Sequence, residues 1–227
     1  PYSVGVIVER RDDLPSVVHI TVDPADDVTA FEDALALGAN AGADASVWVH
    51  GTSDASDEVM AAAGFTSDRT LLQMRRGLPA PPSGLPTRSF TIDDTDEFVA
   101  VNNRAFSWHP EQSGLTAESV RDQMNEPWFD PDGFRLHHID GRLAGFCWTK
   151  VHTEPEHLGE IYVIALDPDF HGRGLGRPMT LAGLDHLAAA GLDTAMLYVE
   201  SDNTSAIATY ASLGFGVHRT DKLWKRP

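Results

Sequence analysis

The chain has 227 residues and carries 17 Lys and Arg against 34 Asp and Glu, a formal net charge of −17 at pH 7, which sets it against a nucleic-acid backbone as partner. Such a charge also repels an anionic cofactor at long range, so a site for one must be locally basic, whereas a cationic substrate suits it. No apolar run is long enough to span a bilayer, no secretory leader is visible, and the one cysteine, Cys147, rules out an internal disulfide or a cysteine metal cluster. Neither a membrane nor a nucleic acid is expected as partner.

Apolar runs predict strands over 4–8 and 17–22, the second ending at Asp23-Pro24. Helical spacing covers 31–37. A strand over 46–50 and a short helix over 57–63 follow, the helix ending at Gly64-Phe65. A last short strand covers 71–74. Residues 78–86 read LPAPPSGLP, with four prolines and a glycine in nine residues, and can be neither a helix nor a central strand. The domain boundary is placed there: a domain over 1–78, a Pro-rich linker over 79–88 and a second domain over 89–227.

The second half opens with a strand over 89–92. Asp94 or Thr95 caps a helix running to about Phe106, and residues 108–112 form a loop. Thr116, with Ser119 in the first turn, opens a second helix to Asn125. Strands over 134–139 and 142–151 flank Asp140-Gly141, a strong hairpin signal. Cys147 lies within this apolar pattern and reads as a buried, inert thiol. A strand over 161–166 breaks at Asp167-Pro168 and leads through a Gly-rich turn into a helix over 179–190. Then come a strand over 196–200, a helix over 205–213 stopped by Gly214-Phe215, and a closing strand over 217–224.

Residues 48–70 align without gaps on 198–220. Val49/Val199, Ala61/Ala211, Gly64/Gly214, Phe65/Phe215, Arg69/Arg219 and Thr70/Thr220 are identical. The strand end Thr21-Val22-Asp23-Pro24 matches Ala165-Leu166-Asp167-Pro168. The first half therefore reads as a second copy of the same fold, cut short. It lacks room for the opening helices, and no Gly loop follows its Asp-Pro. Met60 stands where the second copy has Tyr210, so the first copy reads as non-catalytic. The alternative is that residues are missing from this chain.

The turn His171-Gly172-Arg173-Gly174-Leu175-Gly176, followed by Arg177, joins a strand to a helix N-terminus. Glycines let backbone approach a ligand, and free N–H groups of a first helical turn point at an anion, so the segment can cradle a pyrophosphate. An ordinary strand-to-helix turn has the same glycines. The spacing fits neither the dinucleotide fingerprint nor the P-loop. It is similar to motif A of the GCN5-related N-acetyltransferases (GNAT), [RQ]-x-x-G-x-[GA], with His171 at the position usually held by Arg or Gln, then Gly174 and Gly176. The order β-α-α-β-β-β-α-β-α-β over 89–227 is also that of a GNAT domain. The fold class is then α/β: two tandem GNAT domains, the N-terminal one truncated or degenerate.

Acyl transfer to an amine needs a thioester held beside the amine, a base for the ammonium proton and an acid for the leaving thiolate. The GNAT resemblance implies that the strand carrying Ile164, Ala165 and Leu166 splays from its neighbour to take the pantetheine arm, with 197–200 across the gap. Glu160 opens that strand and reads as the base, directly or through one water; a solvated strand-end carboxylate is the bland alternative. Tyr210 lies where the superfamily points a hydroxyl at the thioester sulfur, though a half-buried helix aromatic is common. Asn203 meets the cofactor in such proteins, and a helix N-cap explains it equally. Glu111, Lys150 and Tyr198 suit a polar, hydroxyl-rich acceptor, or are respectively a loop charge, a strand-end charge and a sheet aromatic. His109 and His152 show no metal spacing, and no metal is expected.

A closer resemblance rests on longer strings. Asn102-Asn103-Arg104-Ala105-Phe106, His109-Pro110-Glu111-Gln112, Trp128-Phe129-Asp130-Pro131-Asp132-Gly133, Trp148-Thr149-Lys150-Val151-His152, Gly159-Glu160-Ile161-Tyr162-Val163 and Leu197-Tyr198-Val199-Glu200-Ser201-Asp202-Asn203 resemble the mycothiol synthase family of actinobacteria. So does Gln73-Met74-Arg75-Arg76, which closes the first copy. That resemblance implies acetylation of the cysteinyl amine of Cys-GlcN-inositol by acetyl-CoA. It implies Glu160 as base and substrate contact, Tyr210 as acid, and Glu111, Lys150 and Tyr198 as acceptor contacts. It implies acetyl-CoA binding by Ile164, Ala165 and Leu166, by His171 to Arg177, and by Asn203, Thr204, Ser205, Ala206, Ile207 and Ala208. A second acetyl-CoA would lie, without turnover, at Ile20, Thr21 and Val22. Two other readings stay open: a GNAT enzyme for another amine, and a non-catalytic acetyl-CoA-binding module.

Overall fold

The computed structural model describes residues 5–11, 14–21, 36, 46–108, 114–154 and 156–225. The helix expected over 31–37 lies outside these residues except for Ala36, which is helical. The chain divides into two compact units, each built on strands. The first holds residues 1–74, 198–207 and 217–227, and the second holds 75–197 and 208–216.

In the first unit, β1 (Gly5–Arg11) pairs antiparallel with β2 (Leu14–Thr21), and β2 pairs parallel with β3 (Ser46–His50). β10 (Gly216–Lys225) lies antiparallel against β3, with Asp221 opposite His50 and Leu223 opposite Trp48. Helix α1 (Asp54–Ala62) starts from a capping box in which Ser53 and Ser56 bond each other's backbone N–H, satisfying donors the helix cannot. Val18, Ile20, Val47, Val49, Met60, Phe65 and Trp224 form the core of this unit. Strand β4 (Thr66–Gly77) is far longer than the 71–74 expected. Its first residues are polar and exposed, so apolar content reveals only its second half.

In the second unit the strand order is β9-β8-β7-β6-β5, with β5 Arg88–Ser89, β6 Phe134–Ile139, β7 Arg142–His152, β8 Leu158–Leu166 and β9 Thr194–Glu200. The hairpin between β6 and β7 turns at Asp140 and Gly141, with φ of 52° and 77°. These are the paired positive values that a type I′ turn needs. Helices α2 (Thr95–Ala105) and α3 (Ala117–Met124) cover one face. There Phe134 stacks between Phe90 at 4.4 Å and Trp148 at 4.5 Å, while Phe98 meets it edge-on at 4.9 Å. Helix α4 (Gly176–Ala189) covers the other face. A Cβ on Gly183 would run into the Cys147 side chain and come within 2.7 Å of Ile161, so glycine lets α4 lie directly on β7 and β8. Cys147 is fully buried, and burial pushes its thiol up to about 12.

Asp94 occupies the N-cap position of α2 but makes no capping bond there. Its carboxylate instead accepts from Arg88 at 2.7 Å and from the Thr91 N–H and hydroxyl at 2.8 Å. Thr116 opens α3 as expected, and Ser119 completes a capping box with it. Helix α4 starts at Gly176, three residues before the helix read from sequence, because Pro178 falls in its first turn, where a missing N–H costs nothing. The proline-rich segment forms neither helix nor strand and is held by Ser83 N–H on Asp185 at 2.9 Å and Ser83 Oγ on the Pro178 carbonyl at 2.6 Å. Helix α5 (Thr204–Ser212) precedes β10.

Candidate active site

Glu160 sits on β8 with Lys150 opposite it on β7 and Met196 opposite it on β9. It is 8% exposed. Its side chain shares a face with Trp148, Lys150 and His152, because strand residues alternate. Between Trp148–Val163 and Thr149–Ile161 the β7–β8 register slips, and Tyr162 is the extra residue of a β-bulge. The parallel ladder between β8 and β9 covers only Gly159 to Ile161, whereas β8 runs on to Leu166. Ile164, Ala165 and Leu166 therefore keep backbone groups on that edge outside this ladder.

The charges near Glu160 are arranged in an unexpected way. Lys150, although directly opposite, places its Nζ 4.3 Å from the Trp128 ring and 5.3 Å from the Tyr162 ring. Glu160 Oε2 instead lies 2.6 Å from His152 Nε2. Burial, reinforced by the Glu160 charge, raises the Tyr162 phenol above its usual value, so that hydroxyl stays protonated near neutrality. His152 is the residue that sequence reasoning passed over. Its signal was a diagonal across the strand pair, two positions beyond Lys150, which is visible only once the register is known.

Beyond β8, Asp167 is buried and turns the chain by accepting the Asp169 N–H at 3.0 Å. Burial alone would raise its carboxyl; bonds from Arg104 and that N–H outweigh it and hold the group below the usual range. Gly172 and Gly174 have φ of 75° and 72°, a region that other residues enter only at a cost. Nothing lies within 4 Å of where a Cβ would stand on Gly172, Gly174 or Gly176, so the space above the loop is open. Leu175, at the N-cap of α4, offers no capping side chain. The first helical bond is from Met179 N–H to the Leu175 carbonyl, which leaves the N–H groups of Gly176 and Arg177 ahead of the helical ladder. The cations at this rim divide their work: Arg173 lies 4.8 Å over the Phe170 ring, while Arg177 donates to Ser212 O and Oγ at 3.0 Å. His171 is exposed, its Nε2 3.2 Å from the Leu166 carbonyl.

Tyr210 is on α5, and burial, reinforced by its neighbour Cys147, pushes its phenol up to about 12. Cys147 faces α4, whereas Glu160 lies with Lys150 on the other face of the β7–β8 pair. Asn203 accepts the Ala206 N–H at 3.1 Å and so caps α5 through Thr204, Ser205 and Ala206. Tyr198 belongs to the first unit. Its hydroxyl accepts from Gln73 at 2.7 Å and Arg219 at 2.9 Å. In that unit Arg219 also bonds Asp221, which accepts from Gly51 N–H and meets His50 at 2.9 Å. Ile20 is fully buried in the first core, Thr21 ends β2, and Val22 and Glu111 lie outside the described residues. Among the described residues no group of three or more His, Cys, Asp or Glu could hold a metal ion, and no helix is long and apolar enough to cross a membrane.

Residues 96–215 match the model of the Acetyltransferase (GNAT) family, which sets the class. The crystal structure of a GCN5-related N-acetyltransferase from Sphaerobacter thermophilus has the same fold, with a TM-score of 0.76 at 20% identity over 98% of this chain and 76% of that one. A mycothiol acetyltransferase of Mycobacteroides abscessus is 45% identical over 86% of this chain and 67% of its own length. One from Streptomyces coelicolor is 43% identical over 93% of this chain and 71% of its own. The chain belongs to the mycothiol acetyltransferases of the GNAT family.

Proposed function

We propose that this protein transfers the acetyl group of acetyl-CoA to the cysteinyl amine of Cys-GlcN-inositol, forming mycothiol. The observation that carries the mechanism is Glu160: a largely buried carboxylate in the short ladder between β8 and β9, one residue before that ladder ends at Ile161. It takes a proton from the incoming ammonium, and an α-amine with a reference pKa of about 7.7–8.0 needs only a weak base near neutrality. The open edge at Ile164 to Leu166 takes the pantetheine arm by backbone hydrogen bonds. The loop from His171 to Gly176 and the first turn of α4 take the pyrophosphate, with Arg173 as the available rim cation. Tyr210 donates a hydrogen bond to the sulfur. Since its phenol is a weaker acid than a thiol, that bond strengthens as charge builds on sulfur without the proton leaving early. Lys150, held on Trp128, contacts the hydroxyl-rich acceptor, and the family resemblance adds Glu111 as a second contact.

The domain reading is also a proposal: 1–78 as a shortened second copy, a linker over 79–88, and 89–227 as the catalytic domain. It is supported by matching local structure. Phe65 N–H bonds the Met60 carbonyl and Phe215 N–H the Tyr210 carbonyl, each beside a glycine, with φ of 82° at Gly64 and 87° at Gly214. The cytoplasm and a monomeric state remain part of the proposal. The second reading is acetylation of another small amine. It is favoured by Tyr198, whose hydroxyl already accepts two hydrogen bonds inside its own unit.

The test is CoA release from acetyl-CoA with Cys-GlcN-inositol. Glu160→Ala is expected to lose about 10²–10⁴-fold in kcat/KM and to recover partly at high pH. Tyr210→Phe is expected to lose about 10-fold. Wild-type protein that binds acetyl-CoA but releases no CoA with this acceptor would sink the assignment and call for a panel of amines.

A further inference from the structure

The proposed reaction has a proton to dispose of. An ammonium nitrogen carries three protons and the amide product one. Of the two lost, one ends on the CoA sulfur and the other must reach solvent before the base can act again. Glu160 is badly placed to discharge it alone, at 8% exposure between two neighbouring strands. Its Oε2 lies 2.6 Å from His152 Nε2, and the His152 side chain is 28% exposed against 10% for Glu160. Among the described residues, the other ionisable groups near Glu160 offer no outlet. Lys150 rests on Trp128 and Tyr162, Tyr162 is held as a phenol, and β9 brings only Ala195, Met196 and Leu197 alongside. An imidazole, by contrast, takes up and releases protons near neutrality, with one nitrogen for each event.

We infer that His152 is a positioning residue that acts through Glu160, aiming its carboxylate at the amine and carrying the proton out to solvent. The carboxylate removes a proton from the ammonium and becomes the acid. It passes that proton to Nε2 of neutral His152 and is again a carboxylate. The imidazolium then gives its Nδ1 proton to water, and exchange of the ring protons with water restores the tautomer whose Nε2 is free to accept again. The inference rests on Glu160 being the base.

The experiment compares His152→Gln, His152→Ala and Glu160→Ala in the full chain, following CoA release with Cys-GlcN-inositol at low and high imidazole concentration. Acetyl-CoA affinity and circular dichroism report folding. Gln can still hydrogen-bond to Glu160 but cannot carry its proton. His152→Gln is therefore expected to lose about 10-fold in kcat with KM for acetyl-CoA unchanged, a modest share of a general-base effect. His152→Ala should lose as much and recover several-fold as imidazole is raised, while wild type shows no imidazole dependence. Wild-type kcat in His152→Gln, or a loss in His152→Ala that imidazole does not move, overturns the relay. Full activity in Glu160→Ala removes the base itself. A dead Glu160→Ala beside fully active His152 variants keeps the base and discards the relay.

Discussion

Asp94 faces a choice between capping α2 and pairing with Arg88, and the pairing wins because Arg88 offers a two-pronged, charge-assisted contact. The Arg88 bond, helped by the Thr91 N–H and hydroxyl and opposed by burial, holds the Asp94 carboxyl at about 2. A carboxyl depressed in the folded state adds stability above its unfolded pKa, and that stability is lost as pH falls through the folded value. Asp94→Asn is thus expected to cost about 1–2 kcal/mol at neutral pH, discounted for the exposed half of Arg88. Urea melts should show the gap to wild type closing as pH falls from near 4 to near 2, and an unchanged gap would remove the pair from the account. His152 teaches the same lesson from the other side. Sequence shows a histidine two residues after Lys150; only the pairing of Lys150 with Glu160 and His152 with Leu158 brings its ring onto the carboxylate.

Helix α4 and the loop before it form the element on which the proposed anion binding depends. Gly174 holds φ of 72° with open space where a Cβ would go, so Gly174→Ala meets backbone strain and no collision. The expected penalty is about 1 kcal/mol. It should fall on the loop as a several-fold weaker acetyl-CoA affinity, with the melting temperature lowered by only a few degrees. A melting temperature that drops while affinity holds would place the loop outside the binding surface. The strand, the Gly-rich turn, the helix and the Asp140-Gly141 hairpin were legible because each carries turn chemistry in its own residues. The bulge at Tyr162 was not, since 161–166 reads Ile-Tyr-Val-Ile-Ala-Leu, an apolar run with no alternation to betray a slip. The polar half of β4 was hidden for the complementary reason.

The whole molecule carries −17, and the two proposed substrates carry opposite charges: acetyl-CoA is a polyanion, and the cysteinyl amine arrives as a cation. The long-range field therefore works against the first and for the second. Locally, the cradle has backbone N–H groups and Arg173, while Arg177 is committed to the end of α5. Short contacts of that kind hold a bound pyrophosphate but reach little further than a Debye length, about 10 Å at 0.1 M salt and 30 Å at 0.01 M. Raising salt from the lower to the higher concentration should then screen the repulsion. The second-order rate constant for acetyl-CoA binding is expected to rise about two- to fivefold, while kcat/KM for the amine falls by a similar factor. Stopped-flow binding and steady-state rates in a chloride series read both slopes on one preparation. Two slopes of the same sign would point to an effect on the protein instead of on encounter. A falling acetyl-CoA slope would mean that the local cations around the Gly loop outweigh the net charge, even at the distance where the encounter begins.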